Sequence, residues 1–379
     1  MYDYIIAGAG YAGAVSARIL AEKGKKVLIL EARKHIGGNA YDEKDERGIL
    51  IHTYGPHIFH TSEKKVYDFL SRFTEFVPYH HKVLADVYGK LIPVPFNLNS
   101  LYMVYDGEKA KRLEELLISE YGKEARVPVL SLRESKEAEI RELAEYVYEN
   151  IFLHYTMKQW GVSPDEIDPA VTARVPVILT REDGYFTDTY QAMPKNGFTE
   201  LFKNMLNCEN IEIRLNCKAE EHISLSDGRI YFDGREFDGE FIYTGMIDEL
   251  FNRQFGILPY RSLNFVFENY DTDYYQEEAV INYTVSEDYT RISEFKRMTG
   301  QKISGTAIVK EYPVNYEPNK GMIPYYAVLN DENLKLYGKY GELARGYRKL
   351  RLLGRLAEYK YYNMDAITKR AMELTEEMI

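Results

Sequence analysis

The sequence predicts an α/β protein in three interleaved parts: a parallel-sheet unit of Rossmann-like type, an inserted helical part and an antiparallel β-sheet part. Three observations lead there. A strand, a glycine turn, a helix and a second strand open the chain; a helical periodicity runs from Asp106 to about Trp160; short strands divided by turn signals fill the region from about 220 to 330.

The opening unit reads YDYIIAGAGYAGAVSARILAEKGKKVLILEARKHIGGNAY. Tyr4-Ile5-Ile6-Ala7 is a short buried strand, Ala14 to Lys23 carries helix formers, Gly24 ends that helix, and KVLILE is the second parallel strand. Gly8, Gly10 and Gly13 form GxGxxG, which supplies a tight turn, a close backbone approach to a pyrophosphate and tight helix packing. The free N–H groups of the helix N-terminus then face the phosphates. Glu31 closes the second strand, where a carboxylate can accept from ribose hydroxyls. A lone GxGxxG is weak evidence, but here strand, helix, second strand and acid all fall where dinucleotide binding needs them. Beyond the acid come Arg33, the pair Gly37-Gly38 and Asn39. A second glycine site lets the backbone pass close to the flavin side of a cofactor, and an NAD enzyme has no need of it. The expected cofactor is FAD.

In the helical part, EKAKRLEELLISEYG places Leu113, Leu116 and Leu117 on one side, and EAEIRELAEYVYENIF repeats apolar residues at Ile140, Leu143, Ala144, Val147 and Ile151. The segments RIYFDGREF, RSLNFVFENY, AVINYTV, GTAIVKEYPV and MIPYYAVL then imply a largely antiparallel sheet. Last, RKLRLLGRLAEY reads as a strand running into a Gly354-Arg355 turn, followed by the helix MDAITKRAMELTEEM. This late strand is expected to return to the nucleotide sheet, with Tyr359, Tyr361 and Tyr362 pointing at whatever lies over the flavin. The expected division is a FAD-binding domain from residues 1–80, 191–250 and 346–379, a sheet domain from 81–96, 166–190 and 251–345, and a helical domain at 97–165.

The bulk numbers agree with a soluble globular protein of 379 residues: 45% hydrophobic and 28% charged. Thirty-four tyrosines against one tryptophan suit a cleft for a polar, partly aromatic ligand, although tyrosine is also common in ordinary strands. A net charge of −11 argues against a nucleic-acid scaffold. Cys208 and Cys217 lack metal-ligand or CxxC spacing and read as solitary thiols in a reducing compartment. No metal is implied. The chain starts directly on a strand and contains no apolar run near 18 residues, so a cytoplasmic location is expected.

Several segments together resemble the bacterial UDP-galactopyranose mutase family: HTYGPHIFHT, PFNLN, YTMKQWG, ARVPV, GYFTDTYQAMP, PYRSL, YTRISEFK, KEYP, PYYAV and GRLAEYKYYNMD. The resemblance runs nearly end to end with order and spacing kept. It implies an isomerase that interconverts UDP-galactopyranose and UDP-galactofuranose, in which N5 of reduced FAD attacks the anomeric carbon while UDP leaves. It also implies a homodimer, an unidentified flavin reductant and a role in polysaccharide biosynthesis.

By matching segments, Arg174 resembles the arginine that clamps the diphosphate, and Arg291 a second arginine of the cleft. Tyr185, Tyr326 and Tyr361 match phosphate-binding tyrosines, and Tyr155 matches the ring that stacks on uracil, with Trp160 on the same segment. Arg261 and Arg355 are implied to line the flavin and diphosphate region. The family places the His57–His60 loop against the flavin, so His57 is expected to contact N5 through its backbone and His60 to approach the sugar. Ile58, Thr244 and Gly245 are further expected cofactor contacts, and Glu311 matches a carboxylate near the site. The chain departs from the family pattern in Gly55-Pro56-His57, Leu353-Gly354, His81 (usually asparagine) and Asn363 (usually aspartate). These departures bear on which sugar is bound. They keep open a sister mutase acting on UDP-N-acetylgalactosamine or on a UDP- or TDP-linked 6-deoxyhexose. A flavin oxidase shares the glycine fingerprints but would favour an apolar cleft, and a non-catalytic binder would be expected to lose those fingerprints.

Overall fold

The computed structural model describes residues 2–161, 176–318 and 320–379. Five parallel strands form the first sheet, in the spatial order Ile211–Arg214, Val27–Leu30, Tyr4–Ala7, Glu240–Tyr243 and Leu350–Leu352. Its central strands read as unbroken apolar runs because both faces are covered. Ile6, Val27, Ile29 and Ile242 face one core, with the helices Tyr11–Glu22, Phe198–Leu206 and Met364–Met378. Ile5, Ala7, Leu28, Leu30 and Phe241 face the other, closed by a three-stranded antiparallel sheet over 223–236 and the helix Asp331–Arg345.

The second large sheet has seven strands, in the order Tyr326–Ala327, Tyr260–Tyr270, Thr306–Asn315, Arg291–Glu294, Val280–Tyr283, Val83–Val87 and Lys90–Val94. Every pairing is antiparallel except that of Val280–Tyr283 with Val83–Val87. Register sets the chemistry of one face. Arg291 lies directly opposite Glu311 on one side and Asn282 on the other.

Helices leave this sheet after Val94. Asn97 caps Leu98–Val104 in a reciprocal box with Ser100, and the Asp106 carboxylate caps Gly107–Tyr121 through the N–H groups of Glu108 and Lys109. Leu113, Leu117, Ile140, Leu143, Ala144 and Val147 are buried as their spacing requires. A π-helical turn, Tyr148–Leu153, leads into the short helix His154–Trp160. The strand Arg126–Pro128, which helical periodicity did not announce, pairs with Pro176–Ile178. Residues 176–178, assigned above to the sheet domain, therefore pair with the helical part. Among the described residues no helix is long and apolar enough to cross a membrane, and no three metal-ligating side chains cluster.

Candidate active site

The parallel sheet delivers its glycines to one edge. Gly8 has φ +97°, and a β-carbon there would lie 2.4 Å from Thr244 Oγ1. A β-carbon on Gly13 would lie 1.9 Å from the Gly8 carbonyl oxygen, so this helix approaches its strand only with glycine. Gly10 stands at the N-cap of Tyr11–Glu22 and offers no side-chain acceptor, which leaves the first N–H groups of the helix open. Gly38, at φ +57°, passes so close that its β-carbon would sit 3.0 Å from Gly10 Cα. Between these backbones runs a narrow cavity of about 170 Å³ lined by Gly10, Tyr11, Ala12, Gly37, Asn39, Thr244, Gly354 and Arg355.

This cradle fits a dinucleotide. Glu31 accepts from Ala9 N–H at 2.7 Å and Arg33 N–H at 2.8 Å, which orients its carboxylate at the end of the second strand. Arg33 donates to Asn39 Oδ1 at 2.8 Å and lies 4.4 Å over the Tyr54 ring, yet its Nη1 is buried with no partner among the described residues. An acceptor from a bound group would satisfy it. Gly245 is held against Tyr243, whose hydroxyl would meet its β-carbon at 2.5 Å, and does not line the cavity. Gly354, at φ +103°, donates its N–H to Glu358 at 2.9 Å, and Glu358 also accepts from Arg370.

A second cavity of about 270 Å³ adjoins the first, and both are lined by Asn39, His57, Arg355, Asn363 and Met364. Its other walls are His60, His81, Tyr155, Tyr185, Phe186, Asn282, Arg291, Glu311, Tyr325, Tyr326, Tyr361 and Ile58. Arg291 and the buried Glu311 face each other at 3.2 Å. Burial works against the charge of Arg291, but Glu311 and the phenols of Tyr155, Tyr326 and Tyr185 hold the guanidinium protonated more firmly than usual. Burial pushes the Glu311 carboxyl up while Arg291 pulls it down. Burial also raises Tyr155, to about 12, and Tyr185 and Tyr326, so all three remain hydrogen-bond donors at neutral pH. Arg355 is steered by its Nε bond to the Tyr362 carbonyl at 2.7 Å and lies 4.8 Å over the exposed Tyr361 ring.

The histidines differ from one another. His57 Nδ1 lies 2.8 Å from the Gly55 carbonyl, so it carries the proton, and burial followed by His52 lowers the ring to about 3. Its backbone N–H donates to His52 Nδ1 at 2.9 Å, and its carbonyl has no partner among the described residues. His60 stacks on Phe186 at 3.7 Å and meets Asp188 at 2.8 Å. His81 is buried, lies 3.2 Å from the Tyr79 hydroxyl, and is lowered to about 3 by burial and then by Arg291. Burial therefore favours the neutral form of His57 and His81.

Two expected residues, Arg261 and Trp160, do not join this group. Arg174 lies outside the described residues. Arg261 turns away: its guanidinium donates to the Gln159 carbonyl at 3.1 Å and the Lys158 carbonyl at 3.4 Å, behind the short helix. With no carboxylate bonded to it among the described residues, this buried guanidinium takes carbonyls that a helix end leaves unpaired, together with the Asn315 side-chain oxygen. Trp160 sits at the end of that helix and does not line the cavity. Tyr359 also departs from its expected place. At φ +49° it reverses the chain and buries its ring in the second core, donating to the Pro259 carbonyl at 2.7 Å, so only Tyr361 and Tyr362 face the two cavities. Conversely Tyr54, Phe186, Asn282, Tyr325 and Met364 line the site without having been singled out. For Asn282 a signal existed: a polar residue inside the strand VINY, whose place opposite Arg291 follows only from the register.

Residues 150–361 match the profile of the UDP-galactopyranose mutase family, and residues 6–73 match that of an NAD(P)-binding Rossmann-like domain. The chain is 34% identical to a UDP-galactopyranose mutase of Mycoplasma pneumoniae, covering 100% of this chain and 96% of the relative. It is 35% identical to a dTDP-fucopyranose mutase of Escherichia coli, covering 99% and 98%. The fold superposes on a solved structure of reduced UDP-galactopyranose mutase with a TM-score of 0.73 at 15% identity, covering 100% of this chain and 94% of that one.

Proposed function

The chain belongs to the UDP-galactopyranose mutase family, and we propose that it interconverts UDP-galactopyranose and UDP-galactofuranose with FAD as its cofactor. The observation that supports this reading is the junction of the two cavities: a glycine-walled channel fit for a dinucleotide opens, at His57, Arg355 and Asn363, onto a chamber of cations and phenols fit for a sugar diphosphate. When bound and reduced, FAD supplies a nucleophilic N5 for the anomeric carbon. Gly8, Gly10, Gly13, Glu31, Arg33, Gly37, Gly38, Asn39, Thr244, Gly354 and Arg355 would hold it.

The chain's own groups do the rest. Arg291 and Arg355 neutralise the charge that grows on the diphosphate as it departs, and Tyr185, Tyr326 and Tyr361 donate to its oxygens. Glu311 keeps the guanidinium of Arg291 in place and charged. The sugar then lies between His60, His81 and Asn363, with the base toward Tyr155. Arg174 completes the diphosphate clamp in this reading. The domain division given above, a homodimer, a separate flavin reductant and a cytoplasmic location belong to the same proposal.

A second reading, a dTDP-linked 6-deoxyhexose as substrate, rests on the similarity to the dTDP-fucopyranose mutase, which equals that to the UDP-galactopyranose mutases. Asn363 bears on it. Its side chain makes no cap bond to the terminal helix and so remains available at the cavity junction, where it brings two donors and no charge. The two readings part in one assay: dithionite-reduced holoprotein is given UDP-galactose and dTDP-fucose separately, and pyranose and furanose forms are resolved. Faster turnover of UDP-galactose is the expected result; faster turnover of dTDP-fucose would replace the first reading by the second.

A further inference from the structure

We infer that Lys158 positions the nucleotide end of the chamber by tying the helix that carries Tyr155 to the hairpin that carries Asn282 and Arg291; the inference rests on the mutase reading. Lys158 lies one turn after Tyr155 on the helix His154–Trp160. Its ammonium donates to three carbonyl oxygens, of Tyr283 at 2.5 Å, Glu287 at 2.9 Å and Tyr289 at 3.4 Å. An ammonium has three N–H groups, and all three are used. One acceptor closes the strand Val280–Tyr283 and the other two lie in the turn that joins it to Arg291–Glu294. A surface lysine would reach for carboxylates, and those of Glu287 and Asp288 are at hand; Lys158 instead gathers backbone oxygens whose dipoles would otherwise repel one another.

The consequence is geometric. Asn282 and Arg291 are directly paired at the base of this turn, and both line the chamber that Tyr155 lines from the opposite element. Lys158 itself does not line it. Arg261 secures the same helix from behind, through the carbonyls of Lys158 and Gln159. Gly161 ends the helix at φ +65°, a conformation that favours glycine, and a β-carbon there would lie 2.6 Å from Arg261 Nη1, so a larger residue would push the guanidinium aside. The distance between Tyr155 and Arg291 is thus set by a cation outside the site. Lys158 is a positioning residue.

The test uses the flavin-loaded protein. UDP affinity is titrated, and kcat and KM for UDP-galactose are measured in the reduced state, for wild type, Lys158→Met, Lys158→Arg, Tyr155→Ala and the Lys158→Met/Tyr155→Ala pair. Lys158→Met keeps the length of the side chain and loses its donors. We expect its Kd for UDP and its KM to rise about tenfold, with kcat, flavin content and Tm nearly unchanged. Arginine, whose planar fork cannot serve three converging carbonyls, should rescue only in part. Because Lys158 acts through Tyr155, adding Lys158→Met to Tyr155→Ala should cost less than about twofold more. Wild-type UDP affinity in Lys158→Met, or full additivity in the pair, would overturn the inference. Should Lys158→Met lose flavin, amide exchange of residues 283–290 in Lys158→Arg replaces it: faster exchange with weaker UDP binding supports the tie, and faster exchange with unchanged binding overturns it. Wild-type holoprotein that binds no UDP would overturn the nucleotide reading itself.

Discussion

Gly13→Val should yield protein without flavin and without activity. The added β-carbon would stand 1.9 Å from the Gly8 carbonyl oxygen and 3.1 Å from Ile6 Cγ2, and neither is the far end of a flexible side chain. Relief requires the helix Tyr11–Glu22 to back away from the strand Tyr4–Ala7. That withdraws the uncapped N–H groups at Gly10 and opens the core at Ala14, Val15 and Ala17, all of them fully buried. Overpacking of this kind costs about 1–3 kcal/mol in a core able to adjust, and more where backbone meets backbone. The ratio of flavin to protein absorbance reads the outcome. Gly338→Ala is the control, in a helix interior with nothing within 4 Å, and should keep full flavin content. Full flavin content in Gly13→Val would remove the first glycine site from the cofactor cradle.

Arg291→Met should lower kcat/KM by about 10²–10³, the range associated with loss of one donor aimed at developing negative charge. It should also destabilise the fold by about 3–5 kcal/mol, because Glu311 is 2% exposed and would be left without its cation. The two effects separate through pH. Burial already raises the Glu311 carboxyl, and the loss of Arg291 raises it further above its unfolded value. A group shifted in that direction favours the folded state most at pH below its unfolded pKa, and that contribution disappears as pH rises through the folded value. The Tm deficit of Arg291→Met should therefore shrink on acidification. Glu311→Gln added to Arg291→Met should restore much of the stability and none of the activity. Activity returning with stability would make the pair structural only.

The residues legible in the sequence are those whose chemistry is local. GxGxxG, Glu31 and Gly37-Gly38 lie within one strand–helix–strand unit, so spacing along the chain is nearly spacing in space. Arg291 and Glu311 came from the family resemblance, whereas their opposition follows from a register that no local pattern dictates. Tyr359 illustrates the limit. Its neighbours Tyr361 and Tyr362 face the cavities, but a positive φ at Tyr359 turns its ring into the core, and a phenol's sequence neighbours do not reveal that sign. Arg261 and Lys158 fail for another reason. Both are cations beside the site that bond mostly to backbone carbonyls, Arg261 also to the Asn315 side chain, and carbonyls leave no trace in residue identity.

In the proposed reaction the flavin is the nucleophile of a ring contraction with no net oxidation of the sugar. The most direct measurement follows UDP-galactose conversion by the same protein preparation before and after reduction of its flavin, in the absence of oxygen. The account predicts furanose formation by the reduced protein alone, over many turnovers for one reducing equivalent, with loss of activity on reoxidation. Equal rates in both redox states, or net oxidation of the sugar with hydrogen peroxide accumulating in air, would contradict it.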